Sequence, residues 1–421
     1  MTGMTIAEKI LARHCGKEKV VPGELVSVKV DVILAHEVTT PPAISELERL
    51  GADRVFDPDR IVVTPDHFVP NKDEKSAELA KRLRDWVKRH GIKNYYEIGR
   101  HGICHTMLLE QGHVGPGMVV VCGDSHTCTH GVAGAFGWGV GSTELAAAIA
   151  TGKVWLEVPE TIKVVINGKL QKGVYSKDVI LHVLSRLGVS GANDKVIEFH
   201  GPVIDAMEVE DRVTLTNMAV EAGATLGIIN PDRKLLDYLS KRTDRKFDVL
   251  RSDPDAKYSE TFNFDVSRLE PMVGVPPLPS NGRQARTLKG IKIDQAVIGS
   301  CTNGRLRDLR EAARIMKGRK VAEYVRMIVI PATTEIWKQA NREGLLDIFT
   351  EAGAAVSAPT CGPCLGGHMG VLAAGEVAIA STNRNFTGRM GSPKSKVYIA
   401  SPATVAASAV AGEIVDPRKY L

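Results

Sequence analysis

The chain has 421 residues, too many for one compact hydrophobic core, so its length predicts two or three domains. Its composition is that of an ordinary globular protein, with 43% hydrophobic and 24% charged residues and a formal net charge of +5. Because the 54 basic and 49 acidic side chains are interspersed, the balance favours a small anionic substrate and argues against a nucleic-acid groove, which needs a concentrated basic stripe.

The N-terminal segment predicts a helix and not an export signal. Thr5 and Glu8 have the spacing of a capping box at the start of an amphipathic stretch, and the apolar core of a signal peptide is missing. No apolar run in the sequence approaches the roughly 18 residues that a membrane span needs. We therefore expect a cytoplasmic protein that has no membrane partner.

Strand-like and helical patterns alternate through the first third of the chain. Apolar runs at 26–34, 61–64 and 118–122 predict strands, and the charged stretch Asp73–His90 predicts a helix. Continuous apolar runs such as MVVVC are typical of a sheet that is covered on both faces. Further along, Ser142 is predicted to cap a helix that stops at Gly152, and Asn167-Gly168 to form a hairpin turn.

The last third has the most regular pattern. After the proline-rich segment 271–282, which we interpret as a linker or domain boundary, four strand-like runs each end in a small or polar turn, and a fifth segment ends the same way. Ligands of doubly wound α/β sheets lie beyond the carboxyl ends of the strands. The residues that follow these ends predict a convergent site: Cys301, Cys361, Cys364, Asn383 and Arg384.

The seven cysteines are odd in number and widely scattered, so a disulfide framework is not expected. The segment Cys361-Gly362-Pro363-Cys364 allows several interpretations. It could be a thioredoxin-like dithiol, although Leu-Gly-Gly after it is a poor helix start, or two buried structural cysteines. It could be half of a zinc site with Cys301 and His368, or, with Cys301, the three thiolates of an iron–sulfur cluster with one open iron.

Nine of the twelve histidines lie in residues 1–130, and several stand beside carboxylates. A carboxylate next to an imidazole fixes its tautomer and raises its basicity, as general acid–base catalysis requires. The histidine–carboxylate neighbours that stand out are His36-Glu37, Asp66-His67 and Asp124-Ser125-His126. The spacing His126-x-Cys128-x-His130 could also be drawn as zinc ligands on an extended chain, or as ordinary polar lining.

Four segments in this order resemble the aconitase superfamily: CGDSHTCTHG (122–131), IGSCTNG (298–304), TCGPCLGG (360–367) and TNRNFTGR (382–389). The resemblance runs nearly end to end and is closest to the large subunits of the isopropylmalate dehydratase and homoaconitase branch. It implies an α/β fold of three aconitase-like domains, without the C-terminal swivelling domain. We place the three domains at 1–158, 159–285 and 286–421.

The resemblance also implies a cofactor and a set of site residues. One [4Fe-4S] cluster would be held by Cys301, Cys361 and Cys364. Catalytic roles would fall to Asp66, His67, His105, Asp124, His126 and Glu221. Substrate contacts would fall to His36, Ser125, Asn217, Asn383, Arg384 and Arg389, with the arginine forks suited to pairing with carboxylates.

The activity implied by the resemblance is a reversible dehydration and rehydration of a small di- or tricarboxylate. We favour isopropylmalate, in leucine biosynthesis, with homoaconitate or a methylmalate–citraconate pair as alternatives. Since the swivelling domain is absent from the sequence, a separate small subunit is expected to carry it, and this chain alone to be inactive. Rival interpretations are a cluster-binding regulatory or RNA-binding protein and a zinc-binding structural subunit.

Overall fold

The computed structural model describes residues 3–52 and 54–421 and has the α/β architecture expected from the sequence. Its strands form a five-stranded, a four-stranded and a seven-stranded sheet, together with a separate two-stranded ribbon. No helix in these two ranges is both long and apolar enough to cross a lipid bilayer. The limits of the three domains stay a prediction, although each of the large sheets draws its strands from one part of the chain.

The first part of the chain builds the five-stranded sheet and the ribbon. Its elements are α1 (Ile6–Cys15), β1 (Leu25–Lys29), β2 (Val32–Ala35), α2 (Thr40–Arg49), β3 (Ile61–Val63), α3 (Glu74–His90), β4 (Asn94–Tyr95), α4 (Cys104–Glu110), β5 (Val119–Cys122), β6 (Phe136–Gly139), α5 (Ser142–Thr151) and β7 (Lys153–Glu157). The five strands are parallel in the order β4-β3-β2-β5-β6, and β1 pairs antiparallel with β7.

Local signals in this part were mostly interpreted correctly. The capping box of Thr5 and Glu8 begins α1, and Asp73 caps α3. The predicted strand at 26–34 was wrong in one respect, because the chain breaks at Asp31 into β1 and β2, which belong to different sheets. The Asp31 carboxylate accepts the Val119 N–H at 2.8 Å, so it stays at the start of β2. Helix α5 includes Ser142, and Gly141 takes the cap position.

The middle of the chain forms a four-stranded parallel sheet in the order β10-β9-β8-β11. Its elements are β8 (Thr161–Asn167), α6 (Ser176–Leu187), β9 (Val196–His200), α7 (Pro202–Ala206), α8 (Val209–Asn217), β10 (Leu226–Ile229), α9 (Arg233–Ser240) and β11 (Glu260–Asp265). The predicted hairpin at Asn167-Gly168 was wrong. Gly168 does turn the chain with a φ of +92°, but both partners of β8 run parallel to it, so the turn leads to α6.

The last part forms the seven-stranded sheet in the order β13-β12-β18-β17-β14-β15-β16. Its elements are β12 (Met272–Gly274), β13 (Gly282–Gln284), β14 (Gln295–Ile298), α10 (Leu306–Met316), β15 (Arg326–Val329), α11 (Thr334–Arg342), α12 (Leu345–Glu351), β16 (Ala355–Val356), β17 (Val377–Ala380), β18 (Lys396–Ala400) and α13 (Pro402–Ala411). All five strand-like runs of this third are strands, and they are mutually parallel. The segment interpreted as a linker contributes β12 and β13 at the sheet edge.

The parts of the chain pack closely against one another around a short 3₁₀ helix at 125–133. This helix lies directly on β10, and a Cβ added at Gly131 would come within 1.7 Å of the Gly227 carbonyl oxygen. Only glycine fits such an approach of two backbones. The same segment begins at the carboxyl end of β5, so the contact brings the first sheet to the residues that follow α8.

Candidate active site

The side chains predicted to form the site lie beyond the carboxyl ends of parallel strands, where ligands of α/β sheets bind. His36 and Glu37 follow β2, and Asp66 and His67 follow β3. Asp124 follows β5, Cys301 follows β14, and Asn383 with Arg384 follows β17. Glu221 comes from the 3₁₀ helix that continues α8. Strand ends from the first and third sheets therefore meet around one centre.

Glu37 organises the loop that carries the first histidine pair. Its buried carboxylate accepts the backbone N–H groups of Asp66 at 2.9 Å, His67 at 2.7 Å and Phe68 at 2.6 Å. Burial raises the pKa of Glu37, and the three donors act in the opposite direction. Glu37 thus holds the loop of residues 66–68 in place, although in the sequence it is the neighbour of His36.

We expect Glu37→Gln to lower the free energy of unfolding by about 1–3 kcal/mol, because the amide nitrogen would face a buried backbone N–H. Chemical denaturation of the metal-free chain measures this loss. Glu48→Gln is the control, since Glu48 is exposed and bonds only Arg82, so its change should stay within about 0.5 kcal/mol. Equal stability of the two variants would contradict the role given to Glu37.

His67 is held between two carboxylates. Its Nδ1 lies 2.6 Å from Asp66 Oδ1, and its Nε2 lies 3.6 Å from Asp124 Oδ2. Burial lowers the pKa of His67, but the charge of Asp66 and the hydrogen bonds to both carboxylates outweigh burial and hold it well above the ordinary value. Asp66 also accepts the Cys104 N–H at 2.8 Å. The geometry therefore favours a protonated His67.

His36 has the opposite character. Its ring stacks on that of His67 with 4.2 Å between centroids, and burial together with the neighbouring charge lowers its pKa to about 3. Nδ1 accepts the Val38 N–H at 3.4 Å, so Nε2 carries the proton and donates to Thr39 Oγ1 at 2.9 Å. A neutral ring beside a charged one is typical of an acid–base network.

The first site cluster, His36, Glu37, Asp66 and His67, has ligand atoms within 4.8 Å of one another, a spacing that a metal ion could use. The oxygens of Glu37 are already taken by three backbone donors, and both nitrogens of His36 are hydrogen-bonded. We therefore interpret the cluster as an acid–base network.

Asp124 is the centre of a second group of imidazoles. Its Oδ1 lies 3.0 Å from His105 Nε2 and accepts the His126 N–H at 2.7 Å. Burial raises the pKa of Asp124, but the hydrogen bonds of His105, His126 and His67 hold it well below the ordinary value. His105 Nδ1 in turn lies 3.4 Å from the fully buried His130. Asp124 thus links both histidine groups.

Glu221 extends this network towards an arginine. Its Oε1 lies 3.0 Å from His126 Nε2, and both its oxygens accept the Nε–H of Arg384, at 2.8 and 3.1 Å. Burial raises the pKa of Glu221, but His126 and Arg384 together lower it below the ordinary value. A charged carboxylate therefore lies between the imidazole and the guanidinium.

The Cys301 and Cys364 sulfurs lie beside the Asn383 and Asn217 amides. Asn383 Nδ2 donates to Cys301 Sγ at 3.3 Å, and its Oδ1 accepts from Cys364 Sγ at 3.4 Å. Asn217 Nδ2 donates to Cys301 Sγ at 3.1 Å. Cys361 and Cys364 lie on one turn, in which the Cys364 N–H donates to the Cys361 carbonyl oxygen at 3.0 Å, and each thiol shifts the pKa of the other.

This donor set fits a thiolate-held metal centre. Interaction with Cys361 lowers the pKa of Cys364, against burial and with help from the charge of Arg389, while interaction with Cys364 together with burial raises the pKa of Cys361, and burial raises that of Cys301. Amide N–H groups aimed at sulfur stabilise thiolates, and hydrogen bonds to sulfur are one means by which proteins tune iron–sulfur centres. Three converging thiols with two amide donors therefore suit an iron–sulfur cluster.

Two arginines lie beside the cysteines with their outer nitrogens free. Arg384 is anchored through Nε to Glu221, and Arg389 donates its Nε–H to the Cys364 carbonyl oxygen at 2.6 Å. Within residues 3–52 and 54–421, the terminal nitrogens of these two guanidinium groups have no hydrogen-bond partner. Such forks are arranged to bind carboxylates.

Two zinc interpretations find no support in the geometry. Residues 125–133 form a 3₁₀ helix, in which a spacing of two does not put side chains on one face, and Cys128 bonds the Asn217 carbonyl oxygen. His368 instead bonds Thr360 Oγ1 at 3.1 Å.

Ser125, predicted to contact the substrate, is exposed at the edge of the site, next to Asp124.

Sequence reasoning missed several buried polar residues that support the site. Lys177 is fully buried and contacts the loops after β14 and β17. Thr129 accepts the Asn217 Nδ2–H at 2.8 Å, and the Arg305 guanidinium donates to the Cys301 carbonyl oxygen at 2.5 Å. The only signal in the sequence was the position of Thr129 and Arg305 near residues already singled out.

The chain is similar to known proteins over nearly its whole length. The profile of the aconitase family (aconitate hydratase) matches residues 8–412. The chain is 56% identical over 417 residues to a 3-isopropylmalate dehydratase large subunit of Thermodesulfovibrio yellowstonii, covering 99% of both chains. It is 54% identical over 425 residues to a 3-isopropylmalate dehydratase large subunit 1 of Pyrococcus furiosus, covering 100% of both.

A solved structure supports the fold. The crystal structure of Thermococcus kodakaraensis aconitase X in its holo form superposes with a TM-score of 0.50 at 12% identity, covering 90% of this chain and 88% of that one. At that identity the likeness concerns the fold alone. The family profile over residues 8–412 and the full-length sequence matches show that the chain belongs to the aconitase family.

Proposed function

We propose that this chain is the large subunit of a 3-isopropylmalate dehydratase, a hydro-lyase of leucine biosynthesis that interconverts 2- and 3-isopropylmalate through isopropylmaleate. The observation that carries the proposal is the convergence of three thiols and two free arginine forks beside the His67 and Asp124 network. The full-length similarity to proteins named for this activity supports the choice of substrate. Homoaconitate and citraconate are the alternative substrates.

The cofactor proposed is one [4Fe-4S] cluster held by Cys301, Cys361 and Cys364. When bound, such a cluster with an iron that lacks a protein ligand supplies a Lewis acid for the substrate hydroxyl and carboxylate. The chain's contribution is to keep the Cys301 and Cys364 sulfurs in place through Asn217 and Asn383. Family membership by itself implies an iron–sulfur cluster only in general.

Arg384 and Arg389 would bind the substrate carboxylates. Each guanidinium is fixed by its Nε, so its planar fork is oriented before the substrate arrives. A fixed fork loses less side-chain entropy on binding than a mobile one. The other residues proposed to touch the substrate are His36, Ser125, Asn217 and Asn383; Asn217 and Asn383 donate to the Cys301 sulfur, and His36 stacks on His67.

His67 is the side chain best suited to deliver a proton to the departing hydroxyl. The Asp66 and Asp124 carboxylates keep the His67 imidazole charged, and its Nε2 faces the Asp124 carboxylate. His105 with Asp124 is the alternative donor. Glu221 would hold its charge near the reacting atoms through His126 and Arg384, and electrostatic stabilisation of this kind is usually the largest catalytic contribution.

The partner proposed is a separate small subunit. The relatives that the chain covers to 99–100% are named large subunits, a name that supports a small subunit as the partner. We propose that it contributes the swivelling domain that covers the site and the base that removes the substrate proton.

The test is anaerobic reconstitution of the chain with iron and sulfide, alone and with the small subunit from the same genome. Isopropylmalate, homoaconitate and citraconate are then assayed separately. We expect turnover of isopropylmalate only in the two-subunit mixture. Activity of the large subunit alone would overturn the partner proposal, and preference for another acid would replace the substrate.

A further inference from the structure

Lys177, the second residue of α6, is a buried cation that the proposed reaction does not use. Its side chain is fully buried, and no carboxylate of the described part of the chain lies within 4.0 Å of its Nζ. A buried ammonium without a carboxylate is costly unless its protons are satisfied in another way. The groups that accept hydrogen bonds from the Lys177 ammonium therefore indicate why it is buried.

The ammonium group of Lys177 bonds to the loops that carry the site. It donates to the carbonyl oxygens of Ser381 at 3.0 Å and Thr382 at 2.9 Å, in the loop after β17. It also lies 3.4 Å from Thr302 Oγ1, in the loop after β14, and 3.4 Å from Met218 Sδ. One side chain thus joins three segments of the chain.

Three of the four residues that contact Lys177 lie next to a residue of the proposed site in the sequence. Thr302 follows Cys301, Thr382 precedes Asn383 and Arg384, and Met218 follows Asn217. The amides of Asn217 and Asn383 are the two groups that donate to Cys301 Sγ. The position of the sulfur relative to its donors therefore depends on the three segments that Lys177 joins.

The charges around Lys177 also favour a role at the cysteine sulfurs. Burial lowers the pKa of Lys177 to about 7, while the charges of Asp308 and of the Cys301 and Cys364 sulfurs act to raise it, so anionic thiolates at this site would keep the lysine protonated. Thiolates that hold a metal centre are anionic, and a cation in a region of low dielectric stabilises them more than it would in water.

We propose that Lys177 is a positioning residue that fixes the Cys301 loop against the Asn383–Arg384 loop and neutralises charge on the cysteine sulfurs. The proposal deepens the proposed function and depends on its cofactor only for the measurement of the reduction potential. Lys177 bonds backbone carbonyls of the Asn383–Arg384 loop and the Thr302 hydroxyl of the Cys301 loop, so its role can be tested in the chain without its cluster.

The test compares Lys177→Met, Lys177→Arg and the matched control Asp178→Asn. Met has about the volume of Lys but no charge or donor, whereas Arg is larger and keeps both. Asp178 is the next residue, is also fully buried, and accepts the N–H groups of Tyr175 and Met272, which lie outside the two loops. It controls for general loosening at the start of α6.

The first measurement is hydrogen exchange of the cluster-free chain over residues 298–305 and 380–386. We expect Lys177→Met to speed exchange in both segments about 10-fold or more, because charged hydrogen bonds to two buried carbonyls are lost. Lys177→Arg should restore part of the protection, and Asp178→Asn should leave both segments unchanged. If volume alone mattered, Met would match or exceed Arg, and that ranking would overturn the proposal.

The second measurement uses the reconstituted protein. The reduction potential of the bound cluster should be lower in Lys177→Met than in Lys177→Arg, because removing a nearby cation disfavours the added electron. An unchanged potential would refute the charge role. If Lys177→Met does not fold, Lys177→Gln, which keeps two donors, should show intermediate exchange, and wild-type exchange and potential in that variant would also overturn the proposal.

The outcomes separate this inference from the proposed function. Absence of dehydratase activity in the wild-type two-subunit protein would refute the function, while the exchange ranking would still decide the role of Lys177. If Lys177→Met protected the two segments from exchange as well as Lys177→Arg or better, the role of Lys177 would be refuted. The proposed function would not be affected by that result.

Discussion

Reconstituted Cys301→Ser protein is expected to stay colourless and to retain no more than trace iron. Cys301 is the sulfur that accepts from both Asn217 and Asn383, and serine oxygen is a harder and far less acidic ligand than a thiolate. With two remaining ligands, Cys361 and Cys364, a cluster would lack the third anchor. We expect isopropylmalate turnover to fall by about 10³-fold, the size of the loss when a main electrostatic element is removed.

Iron analysis, visible absorbance and activity of the two-subunit protein measure this effect. Cys15→Ser is the control, because Cys15 is the last residue of α1 and its thiol donates to the Ala12 carbonyl oxygen, which a hydroxyl can also do. This variant should keep its colour and its activity. A full complement of iron in Cys301→Ser would show that the ligand assignment is wrong.

The parts of the fold that depend on local chemistry could be predicted from the sequence. Thr5 with Glu8 and Asp73 with Ser76 specify helix starts through their own side chains, and apolar runs specify the strands of the last third. The break at Asp31 could not be predicted, since it depends on the N–H of Val119, 88 residues away. The pairing partners of β8 are likewise set by distant strands, which is why the turn at Gly168 was misinterpreted as a hairpin.

The candidate site was predictable to the extent that its chemistry sits at strand ends. Reactive side chains after parallel strands must meet at one sheet edge, so Cys301 and Asn383 could be paired from the pattern alone. Lys177 could not be found in this way, because a single lysine near a helix start normally lies on the surface. Its burial follows only from the packing of α6 against two loops of another sheet.

Arg384→Lys is expected to lower kcat/KM for isopropylmalate by about 10²-fold, equivalent to about 3 kcal/mol. In the wild type, Nε of Arg384 bonds both oxygens of Glu221, and the two terminal nitrogens remain available. One guanidinium can therefore serve Glu221 and a substrate carboxylate at the same time. A lysine has a single nitrogen and must divide its donors between the two, with the loss of a bidentate charged pair.

The loss should appear mainly as a higher KM, since the fork binds the carboxylate in the ground state as well as in the transition state. Some decrease in kcat is also expected, because an unpaired Glu221 would raise its own pKa and weaken its hold on His126. Arg310→Lys is the matched control: Arg310 also bonds both oxygens of a carboxylate, that of Glu343, but at the surface. If the two variants had the same kcat/KM, Arg384 would not bind the substrate, and the carboxylate would have to be held by Arg389 or by the small subunit.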